Sequence, residues 1–235
     1  MKREVKRELL DELPSGDHRA IGARRDLQII NACMGHRQIM VRALAGAFTD
    51  RSPGTIVELG AGDGTLLLRL AKSIAPRWKP LRVVLVDRKR LLSPRTKAEF
   101  EALSWHVESM EMDVFEWLQR PHPEDSQVTL ASLFLHHFKE DDLRKLLWHV
   151  ARQTGFFLAC EPRRMNFALC AAALLGFIGC NHVTRHDARI SVRAGFAENE
   201  LSALWPVHKG WRVMERQAGL FSHCFVAQRI GGPAS

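Results

Sequence analysis

Three groups of residues have the types and spacing that chemistry requires. The first is the run Ile56-Val-Glu-Leu-Gly-Ala-Gly-Asp-Gly-Thr65, in which Gly60, Gly62 and Gly64 alternate and Glu58 stands just before them. Glycines so placed let the backbone turn through positive φ and let a ligand approach where a Cβ would collide. A carboxylate beside them repels a pyrophosphate and attracts an ammonium group. The second is Asp87, which closes the apolar run Leu81-Arg-Val-Val-Leu-Val86 and lies 23 residues after Gly64, where an acid can accept both hydroxyls of a ribose. The third is the pair His136-His137 in Leu135-His-His-Phe138. An imidazole with a pKa of about 6.5 can take a proton from a phenol or an enol.

Spacing separates two ligand classes. A dinucleotide fold uses G-x-G-x-x-G, but the register from Gly60 puts Thr65 where the third glycine belongs. The pattern present is E-x-G-x-G-x-G, which favours a nucleoside carrying a cationic amino acid.

The elements that must position these groups follow from periodicity. Thr55 to Leu59 reads as a buried strand, Thr65 to Ser73 as a helix and Leu81 to Val86 as a second strand, a βαβ unit with a right-handed crossover. Weaker alternation at Trp105–Met110 and a strong signal at Val128–Phe134 give two more strands. A helix over Leu143–Arg152 then leads to a fifth strand, Phe156–Cys160, closed by Glu161-Pro162. Trp211–Glu215 and Ser222–Gln228 are too close together for a crossover and pair antiparallel. The first fifty residues form two or three short helices, with Asp17 as an N-cap and breaks at Gly22 and Gly35. The fold expected is α/β, a doubly wound and mostly parallel sheet with N-terminal helices and a terminal antiparallel hairpin. Ligands of such a sheet bind outside the carboxyl ends of its strands, which places all three groups at one edge.

These residues resemble the class I S-adenosylmethionine-dependent methyltransferases. The first motif of that family matches Val57-Glu-Leu-Gly-Ala-Gly-Asp-Gly64, its ribose acid matches Asp87, and its acid near adenine matches Asp113 in Met-Asp-Val-Phe. The likeness runs from about Thr55 to Gln228 and implies a seven-stranded Rossmann-like sheet with an antiparallel last strand. It implies S-adenosylmethionine as cofactor, held by Glu58, Gly60, Ala61, Gly62, Gly64, Asp87, Arg88, Asp113 and Val114. Asp113 can equally be a plain helix N-cap.

The acceptor region is expected between the fifth strand and the hairpin. Met165 to Cys180 is apolar all round, so it is either buried or a lid over an apolar acceptor, with Phe177 on its wall. Asn181 to Arg193 is dense in donors and cations, and Arg185, His186 and Arg193 are candidates to grip an anionic group. For the histidines, neighbouring side chains at a strand end point to different sides, so one of them faces the methyl group, with His137 the first candidate as base and His136 the second. Residues 1–50 are then a helical cap, 51–230 the cofactor-binding domain with 163–195 as a substrate insertion, and 231–235 a tail.

Composition narrows the alternatives. No apolar run reaches the roughly 18 residues of a membrane span. The charged start has no signal-like stretch, and the five cysteines lack any C-x-x-C pair and read as reduced core residues, so a cytoplasmic protein is expected. No zinc-ligand spacing, hydrolase G-x-S-x-G or nucleophilic Pro-Cys context is present, and no metal is expected. The net charge of +8 favours an anionic partner, but the chain has no Tyr and lacks interleaved aromatics, which argues against nucleic acid. Methyl transfer to oxygen or carbon of a small, apolar, phenolic, quinone-like or polyketide-like acceptor is the leading expectation. An RNA methyltransferase and a non-catalytic cofactor-binding protein are its rivals.

Overall fold

In a computed structural model of the chain, the described residues are 1–49, 52–78, 80–120, 126–206 and 209–230. The expected tail at 231–235 and the side chain of Phe177 lie outside them. Three helices come first: α1 (Leu9–Glu12), α2 (His18–Met34) and α3 (His36–Ala47). Asp17 caps α2 by accepting from the Arg19 N–H, and Gly35, at φ 70°, ends α2 and opens α3. Gly22 does not break α2 as its type suggested. A Cβ there would lie 2.8 Å from Asn181 Nδ2, so this glycine marks a close helix contact.

Strand and helix then alternate through β1 (Thr55–Leu59), α4 (Thr65–Ile74), β2 (Arg82–Asp87), α5 (Pro94–Glu101) and β3 (His106–Glu111). They continue through α6 (Val114–Gln119), β4 (Ser126–Ser132), α7 (Glu140–Gln153) and β5 (Thr154–Pro162). Helices α8 (Asn166–Leu174), α9 (His182–Ala194) and α10 (Glu200–Leu204) lead to β6 (Trp211–Ala218) and β7 (Ser222–Arg229). The 7-stranded sheet has the order β3-β2-β1-β4-β5-β7-β6. Strands β1 to β5 are parallel, and β7 runs antiparallel to both β5 and β6. Residues 219–221 are too few to cross a sheet face, so the last hairpin can form in no other sense.

Alternation along each strand divides the core in two. Ile56, Val83, Leu85 and Leu158 pack with Met40, Leu44, Leu67 and Phe100 from α3, α4 and α5. Val57, Val84, Phe157 and Phe225 pack with Leu146, Leu147, Leu201 and Trp205 from α7 and its neighbourhood. Glu58 is two residues from Ile56 and shares its face, under the N-terminal helices.

Two expectations change. The segment Met165–Cys180 is neither one helix nor core: α8 gives way to a 3₁₀ turn at Leu175–Ile178, and only the small side chains Ala168 and Ala172 are buried in α8, while Phe167 and Leu174 are more than half exposed. The donor-rich stretch after Asn181 is a helix, because Val183, Asp187, Ile190 and Ala194 recur on one buried face and Asn181 caps it through the Thr184 N–H. The cysteines also divide, with Cys160, Cys180 and Cys224 buried and Cys33 and Cys170 exposed. Among the described residues, no helix is long and apolar enough to cross a membrane.

Candidate functional site

The glycine loop begins where β1 ends. Gly60, Gly62 and Gly64 take φ values of 67°, 55° and 72°. The Gly60 and Ala61 N–H groups donate to the Val86 carbonyl at 2.9 and 3.2 Å. Asp87 Oδ2 accepts from the Gly62 N–H and Oδ1 from the Lys89 N–H, each at 2.9 Å. One carboxylate thus ties the turn after β1 to the turn after β2, and each oxygen keeps a lone pair for another donor. A Cβ on Gly60 would sit 2.1 Å from the Phe134 ring and one on Gly64 2.7 Å from Leu85, whereas one on Gly62 would meet nothing within 4 Å. Two of the glycines are required by packing, and Gly62 faces open space.

Glu58 is buried, and its Oε2 has no hydrogen-bond partner. Burial, and then the charges of Asp63 and Asp87, push its pKa up to about 8. An unsatisfied buried carboxyl is costly, and a donor bearing positive charge relieves it. A cavity of about 630 Å³ runs over this edge, lined by Gly60, Asp87, Arg88, Asp113, Val114 and His137 among others. Asp113 caps α6 by accepting from the Phe115 N–H at 2.8 Å, and it remains exposed on the cavity wall. Arg88 is exposed, with its guanidinium 3.7 Å from Asp11.

The histidines follow β4. Leu135–His137 is a 3₁₀ turn rather than strand, so strand alternation does not apply, and the two rings lie together at 4.3 Å between centroids and a tilt of 31°. Their environments still differ. His136 is buried, with Nδ1 2.7 Å from Glu161 Oε2 and Nε2 3.3 Å from Glu8 Oε1. Glu161 is fixed in turn by the Phe134 and Leu135 N–H groups at 3.0 and 2.9 Å. Burial opposes charge on His136, but hydrogen bonds to Glu161 and Glu8 outweigh it and raise the pKa to about 9. The same contact lowers the pKa of Glu8 to about 2 against the effect of its own burial. His136 is therefore an imidazolium clamped between two carboxylates. His137 lines the 630 Å³ cavity, where burial, and then the charge of His136, lower its pKa and keep it neutral.

Ligand atoms of Glu8, His136 and His137 lie within 4.8 Å of one another, close enough to hold a cation. Both nitrogens of His136 are engaged by carboxylates, Nδ1 by Glu161 and Nε2 by Glu8. Glu8 reaches the cluster from an N-terminal strap. Arg3 donates to the carbonyls of Ala194 and Phe138 at 2.8 and 2.9 Å, and the Leu9 and Leu10 N–H groups donate to Asp187 at 2.8 and 2.9 Å. Lys89, two residues past Asp87, donates to the carbonyls of Leu10, Asp11 and Leu13 at 3.0–3.1 Å. Sequence reasoning missed Glu8, which is one acid in a charged run, and saw Glu161 only as the end of a strand.

A second, apolar cavity of about 140 Å³ lies between α2, α8 and α9, walled by Leu27, Ile30, Met34, Ala168, Ala172, Leu175 and Val192. Its polar lining is Glu8, Thr184, Asp187 and Ser191. Leu133 lines both cavities and holds a left-handed backbone at φ 51°, rare for a residue with a branched side chain. The three cations expected at the acceptor are elsewhere: Arg185, His186 and Arg193 are exposed and line a groove with Lys6, His182 and Arg189 on the outer face of α9. The helical period carries them away from the cavity that their neighbours Thr184 and Asp187 line. Cys160 is buried against Cys224, which with burial raises its thiol pKa well above the ordinary value, so it is inert.

Residues 56–154, from the middle of β1 to the start of β5, match a family model described as a methyltransferase domain. Over that segment, 99 of the 235 residues, the chain is similar to a methyltransferase domain. No curated protein sequence matches it. Among solved structures, this methyltransferase is similar to the plantazolicin methyltransferase BpumL in complex with SAH, at 10% identity and a TM-score of 0.65, over 91% of each chain. It is similar to an O-methyltransferase family protein from Burkholderia thailandensis, at 20% identity and a TM-score of 0.58, over 93% of this chain and 62% of that one. The magnesium protoporphyrin IX methyltransferase of Synechocystis PCC 6803 with bound SAH has 14% identity and a TM-score of 0.50, over 83% of each chain. These likenesses show the fold. The residues present fit the cofactor on grounds of their own: the methyltransferase offers an orphaned buried carboxyl at Glu58, an open cradle at Gly62 and spare acceptors on Asp87.

Proposed function

We propose that this methyltransferase methylates an oxygen or carbon of a small apolar acceptor held in the cavity between α2, α8 and α9. The observation that carries the reading is the adjacency of two unlike cavities. A polar one runs along the glycine loop and Asp87, an apolar one lies beside it, and Leu133 belongs to both. The names of the fold neighbours, an O-methyltransferase family protein and a magnesium protoporphyrin IX methyltransferase, support a small-molecule acceptor.

In this reading Glu58 and the loop Gly60-Ala-Gly62 through Gly64 hold the amino-acid end of the cofactor, Asp87 holds the ribose, and Arg88, Asp113 and Val114 flank the base. When bound, S-adenosylmethionine supplies an electrophilic methyl group. The chain's own tasks are to align the acceptor, to exclude water and to receive a proton. His137 is the base: it is neutral, it lines the cofactor-side cavity, and it accepts the proton that an acceptor hydroxyl loses as the methyl–oxygen bond forms. His136 holds it in place through the tilted ring contact. Helices α1 to α3 form the cap, and the stretch 163–195 is the substrate insertion. The five free cysteines suit small-molecule biosynthesis in the cytoplasm.

The test is transfer of labelled methyl groups to a library of alkylphenols and, in parallel, to bulk RNA. Labelled phenol ethers or ring-methylated products are expected. Transfer to RNA alone would support a second reading, favoured by the cationic groove on α9, in which an RNA backbone lies along Arg185, Arg189 and Arg193.

A further inference from the structure

The apolar cavity has a charge asymmetry that sequence reasoning did not anticipate. The arginines placed nearest to it along the chain, Arg185, Arg189 and Arg193, lie on the outer face of α9. Among the described lining residues there is no Lys, Arg or His, and the two acidic ones are the carboxylates Glu8 and Asp187. They are not equivalent. Asp187 is consumed by the strap and its own neighbour: its oxygens accept from the Leu9 and Leu10 N–H groups, and Oδ1 lies 2.9 Å from His186 Nδ1. Glu8 is held from one side, where Oε1 meets His136 Nε2 and the Ser191 hydroxyl. With Glu161 on the far side of His136, the cluster is two carboxylates sharing one imidazolium; Arg3, which donates to the His136 carbonyl, lies in the field of Glu161, and Glu8 is the carboxylate of the cluster that lines the apolar chamber.

A chamber of about 140 Å³ compares with the roughly 150 Å³ cavity that accepts a benzene ring. Its walls suit an aromatic ring with a short alkyl substituent, and its polar end offers acceptors and negative charge. An incoming hydroxyl can donate to it. An incoming carboxylate would face like charge at low dielectric, with no Lys, Arg or His among the described lining residues to pair with it.

We propose that Glu8, supplied by the N-terminal strap, is a specificity-determining residue of the acceptor site, which admits neutral, hydroxyl-bearing apolar molecules and rejects their anionic counterparts. This rests on the methyl-transfer reading for the identity of the cavity as the acceptor site. It follows from charge and geometry at one position and needs no assumption about which histidine is the base. The strap is then a wall of the site rather than a loose terminus, since Glu8 arrives only when residues 3–10 are docked on α9.

The experiment is calorimetric binding of 4-propylphenol and 4-propylbenzoate at pH 7.5 to the full chain loaded with S-adenosylhomocysteine. The phenol is neutral at that pH and the benzoate anionic, with nearly the same shape. The wild-type protein is expected to bind the phenol at least tenfold more tightly. Glu8→Gln, which keeps the shape and removes the charge, should narrow that ratio at least fivefold, chiefly by improving benzoate binding, with S-adenosylhomocysteine affinity unchanged. Equal or preferential benzoate binding by the wild type, failure of both probes to bind, or an unaltered ratio in Glu8→Gln overturns the proposal. The wild-type comparison decides the matter even if the variant folds poorly. Loss of S-adenosylhomocysteine binding by the wild type would instead sink the methyl-transfer reading, so the two failures are distinct.

Discussion

At the scale of single residues, what matters is which groups are charged before any ligand arrives. Glu58, with its pKa raised to about 8, is protonated at neutral pH in the free protein. A cationic amine beside it favours the carboxylate, so cofactor binding should expel a proton, and affinity should climb with pH until about 8. Calorimetry of S-adenosylhomocysteine binding at pH 7 in buffers of different ionisation enthalpy should show close to one proton released, and Glu58→Gln should abolish the release. Absence of buffer dependence in the wild type would remove Glu58 from the cofactor site. His137 carries the opposite sign. Burial and the neighbouring imidazolium lower its pKa, so the base stays available below the ordinary value of about 6.5, and turnover should fall only at more acid pH. His137→Ala should cost about 10²- to 10⁴-fold in turnover with cofactor affinity little changed. An acid limb centred above 6.5, or wild-type turnover in the variant, would exclude it as base.

At the scale of elements, a close contact between backbones holds the end of α9 against the sheet. Gly195 follows α9, and a Cβ there would lie 2.2 Å from the carbonyl oxygen of Pro162 at the end of β5. Its φ of −62° is open to any residue, so the constraint is steric crowding rather than conformation. Gly195→Ala should destabilise the protein by ~1–3 kcal/mol through displacement of α9 from β5. Urea unfolding would read this, and a variant of wild-type stability would mean that the helix end is free to move. Helix α9 also shows how an element can separate residues that the chain keeps together. Arg185 and His186 follow Thr184 directly, yet 100° per residue turns them to solvent while Thr184 and Asp187 face the cavity.

At the scale of the whole molecule, the Glu161–His136–Glu8 triad joins β5, the turn after β4 and the N-terminal strap, so its ionisation bears on global stability. A histidine whose pKa rises from an unfolded value of about 6.5 to about 9 contributes fully below 6.5, and the contribution is lost as pH rises through 9. Between those limits the slope is about 1.4 kcal/mol per pH unit for one group. Glu58 adds loss of the same sign between its ordinary value and about 8, because the folded state holds a proton that the unfolded state has released. Urea unfolding at pH 6.5, 8 and 9 should therefore show falling stability. Glu58→Gln should lessen the fall between pH 6.5 and 8 without removing it, and the fall that remains up to pH 9 should shrink in His136→Gln. Stability that is flat across this range would show that His136 is not an ion in the folded protein.

What the sequence determined by itself is the cofactor edge. The βαβ unit, the E-x-G-x-G-x-G turn and the acid closing β2 are set by interactions among near neighbours in the chain: alternation, positive φ and strand-end position. Local rules suffice to read those. The Asp17 cap and the antiparallel hairpin were legible for the same reason. The tertiary structure alone decided what surrounds the two histidines. Glu8 meets His136 across a separation of 128 residues and Glu161 meets it across 25, and no local pattern specifies either pairing. It also decided that the apolar cavity is acidic at its polar end, since the cations near it in sequence lie on the far face of α9. The charge state of a buried group depends on what packing brings within a few ångströms, and only the folded chain supplies that.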